Sequence, residues 1–185
     1  MRVPLPFLAL LLSGSLHAQS LGSGTTAALS FARSVTLPMN AVQLHDAASE
    51  AWNWTFGKEP GAKLLITDRA AGTLKGTARL NFRSVMLTGR EETTGTVSYT
   101  VNVQVSPGEC RITITDLIHT GNRNTTRGGI HLKQLMRNDE DAQRAGGMGR
   151  TNIVRVHREL RESASTHLAG LLQAFEARMR AKVEP

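Results

Sequence analysis

The 185-residue sequence has a single cysteine, Cys110. That excludes an intramolecular disulfide framework and a cysteine-rich zinc site. Aromatic residues make up only 4% of the chain. A single one, Phe175, lies in the basic C-terminal third, so a stacking platform for nucleic acid is not expected there. No run of eighteen apolar residues exists, which rules out an ordinary membrane-spanning helix. The mature histidines, His45, His119, His131, His157 and His167, form no H-x-H and no i, i+4 pair; a histidine metal site on one helix face is therefore absent. There is no G-x-S-x-G elbow, no P-loop and no dinucleotide fingerprint. No catalytic residue, metal site or cofactor is assigned. With 40% apolar and 20% charged residues, the chain is too hydrophobic to be disordered throughout.

The N-terminus has the order of a secretory signal peptide. Met1-Arg2 carries a positive charge, Leu5 to Leu12 is apolar, and Leu16-His17-Ala18 ends on a small residue. Cleavage is expected between Ala18 and Gln19, with a periplasmic or extracellular destination. Residues 19–30 read as a flexible lead-in. Residues 31–181 read as one α+β domain with an irregular insertion at 119–150.

Within the domain, hydrophobic periodicity predicts the order β-α-β-β-β-β-α. Phe31 to Leu37 is a first strand. A helix follows over about Ala41 to Phe56, with Asn40 and Gln43 as a capping box. Leu44, Ala48, Ala51, Trp52 and Phe56 form its apolar stripe, and Gly57 is read as its terminator. Lys63 to Asp68 is a short strand. Thr73 to Arg83, Thr96 to Ser106 and Glu109 to Ile118 alternate apolar and polar side chains at the period of a half-buried strand. A short helical turn is expected around Ile130 to Met136. A long helix over Asn152 to Ala181 carries the stripe Val156, Leu160, Ala164, Leu168, Leu171, Phe175 and Met179. The antiparallel sheet would then have both helices on one face.

The stretches "AASEAWNWTFG", "LLITDRAAGTLKGTARLNF", "VSYTVNVQV" and "CRITITDLIHTG" resemble a family of secreted bacterial domains, domain of unknown function 4468, described as TBP-like. The resemblance implies an α+β fold and carries no assigned activity and no catalytic residues. DNA binding does not follow from the shape, because function belongs to sites rather than folds.

Strand alternation places Lys75, Arg79 and Arg83 on the face opposite Leu74, Ala78, Leu80 and Phe82, and Arg111 on the same polar face. These four cations are the candidate ligand-binding residues, for an anion. Charge is uneven along the chain. From Gln19 to Ile118 there are nine Lys/Arg and eight Asp/Glu; from His119 to Pro185 there are twelve and seven. The basic C-terminal third is read as a solvated face. Asp139-Glu140-Asp141 is read as a solvated charge run, the five histidines as surface or boundary residues, and Cys110 as a buried structural thiol. Trp54 falls off its helix stripe and is expected to be partly exposed. The leading expectation is an exported, non-enzymatic domain that binds an envelope protein or ligand. An anion or polymer binder using the basic sheet face, or a hydrolase with an unfamiliar site, are the alternatives. Partner and oligomeric state are not legible.

Overall fold

A computed structural model describes residues 27–87, 90–125 and 128–183. The expected signal peptide and most of the lead-in fall outside the described residues. The end of that lead-in is not flexible. Ala28 bridges Met136, and the Leu29 N–H donates to the Leu135 carbonyl at 2.8 Å.

The strands are β1 (Phe31–Thr36), β2 (Lys63–Asp68), β3 (Thr73–Phe82), β4 (Gly95–Ser106), β5 (Glu109–Gly121) and β6 (Lys133–Gln134). The helices are α1 (Ala41–Trp54) and α2 (Arg150–Arg180). The sheet is antiparallel with order β1-β5-β4-β3-β2, and β6 extends it beside the second half of β5. This is the expected α+β architecture with one strand added. The helical turn expected around Ile130 to Met136 is instead β6 and its flanks. The edge that β5 offers beyond β1 takes up those backbone groups.

Each element forms for a local reason. The Gln43 N–H donates to Asn40 Oδ1 at 2.9 Å, and the Asn40 N–H donates to Gln43 Oε1 at 3.1 Å, closing the capping box. The helix stops before Gly57: Thr55 is its C-cap, and Phe56–Lys58 is a single 3-10 turn. Gly61, Gly72 and Gly108 occupy the left-handed region at the three tight turns between strands or before β2. Gly76 answers a different need. A β-carbon there would lie 2.3 Å from Trp52 Cη2, so the indole fills the space that the glycine leaves.

Burial follows the pleat. Even positions of β3 and odd positions of β4 are buried, as are Cys110, Ile112 and Ile114 of β5. The phase then flips. The β4–β5 register shifts between Ser98 and Thr100, and Asp116 adopts φ 56°. This bulge turns Leu117 and His119 into the core and leaves Ile118 outside. The sequence alternation runs through without a glycine, so nothing local marked the flip.

Helix α1 packs across β3, β4 and β5, while α2 packs on α1 and β1. Phe56 bridges the two helices, its ring 5.5 Å from Trp52 of α1 and 5.9 Å from Phe175 of α2. The α2 stripe differs from the expected one at a single step. Leu172 is buried and Leu171 only half-buried. From Leu168 the next inward position is four residues on, and the three-residue step then reaches Phe175.

Where it is described, the irregular segment after β5 packs on the rest of the domain. Ile130, Leu132, Leu135 and Ala142 join the same core. Gly121 and Gly129 meet backbone to backbone, since a β-carbon on Gly129 would lie 2.4 Å from the Gly121 carbonyl carbon. The segment has only a short ladder of its own; the Ile130, Leu135 and Arg137 N–H groups donate to the carbonyls of Glu92, Leu117 and Ala27, and two further amides find acceptors on imidazoles. Leu132 N–H donates to His119 Nδ1 at 3.3 Å, and Met136 N–H to His157 Nε2 at 3.0 Å. In return, Gly121 N–H of β5 donates to His131 Nδ1 at 3.3 Å.

Candidate functional site

The exposed sheet face carries Lys75, Arg79, Arg83 and Arg111, all facing solvent as alternation requires. Strand register decides which of them can act together. Arg111 stands opposite Gln104, which stands opposite Thr73. Lys75 is one pleat row along from that row. Arg79 lies on the row of Ser98 and Ile118. Arg83 lies beyond the end of β3. Ten residues of strand separate Thr73 from Arg83, roughly 34 Å at about 3.4 Å each. The four cations therefore form a line along the sheet and no single pocket, so one small anion cannot touch Arg111 and Arg83 together. Arg79 is further drawn toward the edge, where its Nε would lie 3.1 Å from a β-carbon on Gly61.

Of the four, Arg83 borders an open cleft. At the end of the sheet where β3 leaves, β4 begins and β5 ends, an open cleft of about 670 Å³ is lined by Asn81 and Arg83, Thr96 and Thr120, and Asn122, Arg123 and Asn124. The turn that closes it is held by a bond to the residue before β4 and by an asparagine side chain. Asn122 N–H donates to the Thr94 carbonyl at 2.8 Å, and Asn124 N–H donates to Asn122 Oδ1 at 3.0 Å. Two guanidinium groups and a ring of amide and hydroxyl groups face the space, and no carboxylate lines it among the described residues. Such a lining suits an anion that also carries hydroxyl groups. Sequence reading found Arg83 by alternation and missed Arg123, Asn122 and Asn124. The only local trace was the run Gly121-Asn122-Arg123-Asn124, a turn signature at a strand end.

Several C-terminal cations are paired within the molecule while staying at the surface, as on a solvated face. Arg158 and Arg161 pair with Asp139 at 2.6 and 3.0 Å, and Lys182 pairs with Glu50 at 2.7 Å. Arg150 donates to the carbonyls of Ala142 and Glu140. Asp139 is accordingly not part of a solvated run. Burial works against its ionisation, but the hydrogen bond from Arg158 and the charges of Arg161 and Arg158 outweigh that and hold its carboxyl below the usual range.

His45, His119 and His157 are buried, also against expectation. Their neighbours explain it: each lies on the inward side of its element, and two serve as backbone acceptors. Burial, with the nearby His131, depresses His119 to about 4. Burial likewise lowers His157, although Asp139 opposes the shift. His167 stays at the surface, 2.6 Å from Glu59. Cys110 is buried as expected, and burial pushes its thiol up to about 12, which keeps it protonated and unreactive. Trp54 is 55% exposed, with Lys58 Nζ 5.1 Å and Arg178 Cζ 5.3 Å from its ring. No group of three or more His, Cys, Asp or Glu gathers at metal-binding distance among the described residues, and no helix there is long and apolar enough to cross a membrane.

A two-helix layer on one face of an antiparallel sheet, with the other face polar and open, defines an α+β domain of the TBP-like kind. Residues 31–120 match a family model described as "Domain of unknown function (DUF4468) with TBP-like fold", which bears out the resemblance seen in the sequence. The structure is similar to that of a DUF4468 family protein from Bacteroides ovatus, at TM-score 0.52 and 16% identity over 83% of this chain and 89% of that one. It is also similar to a TBP-like protein from Parabacteroides distasonis, at TM-score 0.56 and 8% identity over 83% of this chain and 96% of that one. At these identities the likeness concerns the fold. No curated protein matches the sequence.

Proposed function

We propose that this protein is an exported, non-enzymatic binding domain of the bacterial cell envelope, and that its ligand is a hydroxyl-bearing anion held in the cleft at the end of the polar sheet face. The observation that carries the reading is the grouping of Arg83 and Arg123 with Asn81, Asn122 and Asn124 in an open cleft that no carboxylate lines among the described residues. Guanidinium groups take up carboxylate, sulfate or phosphate oxygens with directional, charge-assisted bonds. Side-chain amides and the threonine hydroxyls both donate and accept, which matches sugar hydroxyls. The sheet supplies a rigid floor, so little ordering is needed on binding. The signal-like N-terminus supports an envelope address, where acidic saccharides are accessible to such a domain.

The test is calorimetric titration with carboxylated, sulfated and phosphorylated oligosaccharides at two salt concentrations. Binding by the parent protein, lost in Arg83→Ser/Arg123→Ser and retained in Arg111→Ser, supports the cleft. Equal binding by all three proteins would move the site elsewhere, and no binding to any of the sugars would remove this ligand class. Turnover of ester, phosphate or peptide substrates that survives extensive purification would instead favour the hydrolase alternative. N-terminal sequencing of the exported protein tests the address: a start at Gln19 supports it, and a start at Met1 refutes it.

A further inference from the structure

The two edges of the sheet are finished differently. At β1, Arg33 is tied to Glu176 of α2, and the chain just before the strand bonds to residues 135–137. At β2, no strand pairs the outer edge among the described residues, and every residue from Lys63 to Asp68 is exposed. Leu64, Leu65 and Ile66 are 39%, 55% and 49% exposed, three consecutive apolar side chains on a bare strand. A lysine and a bulge are common devices for blunting such an edge. Here their placement has the opposite effect.

Leu64 stands opposite Gly76 and Ile66 opposite Lys75, so Leu65 is the extra residue of a bulge. In a regular strand, Lys63 and Asp68, five positions apart, would point to opposite faces. The bulge adds one step. Lys63 opposes Thr77 and Asp68 opposes Thr73, both on the polar face, while Leu64 and Thr67 share the helix face. A two-fold axis between Leu65 and Ile66 would set Lys63 of one copy opposite Asp68 of the other, on the same face and at both ends. Leu64 would meet Thr67, and Leu65 would meet Ile66, at the centre. The strand is thus self-complementary in charge at both ends, with an apolar pair at the centre.

We infer that β2 pairs antiparallel with β2 of a second copy of this chain, joining two sheets into one continuous sheet with a shared polar face. The interface of two six-residue strands falls at the small end of specific contacts, so the association is expected to be concentration-dependent.

Sedimentation velocity on the purified protein over a wide concentration range tests this. The parent is expected to shift from monomer to dimer. Lys63→Asp and Asp68→Lys each replace two opposite-charge pairs by like-charge pairs, and each should weaken association at least about tenfold. An equimolar mixture should restore it, because each Lys63→Asp chain then offers two carboxylates to two ammonium groups of the other variant. Leu65→Lys should remain monomeric and keep the parent melting temperature, its side chain being already largely in solvent. A parent that is monomeric at all concentrations would overturn the proposal. So would variants that associate like the parent, a mixture that fails to recover, or a monomer whose outward-pointing β2 amides, those not bonded to β3, resist hydrogen exchange because its own chain covers them.

Discussion

The stretch from β1 to the end of β5 and the stretch from Asn122 to Gly149 feed one hydrophobic core by different means. The first satisfies its backbone in long antiparallel ladders and buries every second side chain. The second has two paired residues in β6 and a few scattered backbone bonds, and adds imidazole acceptors, arginine donors and a close glycine contact. A ladder distributes cohesion over many equivalent bonds. The clasped segment concentrates it in a few groups, two of which are histidines that must stay neutral to accept.

The largest effect should come from the ladder side. Ile112→Asp places an unpaired charge at a fully buried position of a central strand. The expected loss is on the order of a domain's whole stability, about 5–15 kcal/mol, so the protein should be insoluble or lack a cooperative melt. A normal melt would show that the sheet is not what holds the domain together.

Acid should separate the two regions. His119 titrates near 4 in the folded chain against an ordinary 6.5. As pH falls through 6.5, the unfolded chain takes up a proton that the folded chain refuses; stability therefore drops until about pH 4, by on the order of 3 kcal/mol for a shift of this size. His157 is lowered too and adds in the same direction. Hydrogen exchange at stepwise lower pH should show amides 128–137 losing protection before those of β3 and β4. His119→Gln, which cannot gain that charge, should flatten the dependence. Simultaneous loss of protection everywhere would mean that the regions open as one unit.

A smaller effect is expected from His157→Phe. It keeps the ring buried but strands the Met136 N–H, which should cost about 1–3 kcal/mol. The loss should register in exchange at Met136 and in a lowered denaturation midpoint. Smallest is Asn40→Ala, which removes a capping box on the ladder side and should cost about 1 kcal/mol. Amide exchange within 128–137 should be unchanged in that variant, measured relative to global stability.

Legibility from sequence follows the same division. Strands β3 and β4 and the first half of β5 were plain because half-buried ladders impose a period of two, and Asn40 with Gln43 announced α1. The bulge at Asp116 was not plain, since an aspartate in the left-handed region looks like any polar residue in a strand. Residues 119–150 read as irregular, because the order within them depends on side-chain acceptors at His119 and His157 that no periodicity announces. For the site, alternation placed Lys75, Arg79, Arg83 and Arg111 on the correct face. It could not say which end of that face is concave. That depends on β5 continuing to Gly121 and on the Asn122 turn folding back to Thr94.

The indole seated over Gly76 has an optical consequence. Trp52 is 3% exposed and Trp54, two residues on, is 55% exposed with Lys58 and Arg178 beside its ring. Excited together, the pair emits from two media: a short-wavelength component from the dry interior and a long-wavelength one from water. Iodide, drawn by the two cations, should quench the second and spare the first. The chain thus carries its own internal reference, in which the blue component reports whether α1 still lies on the sheet while the red one reports only the solvent at its surface.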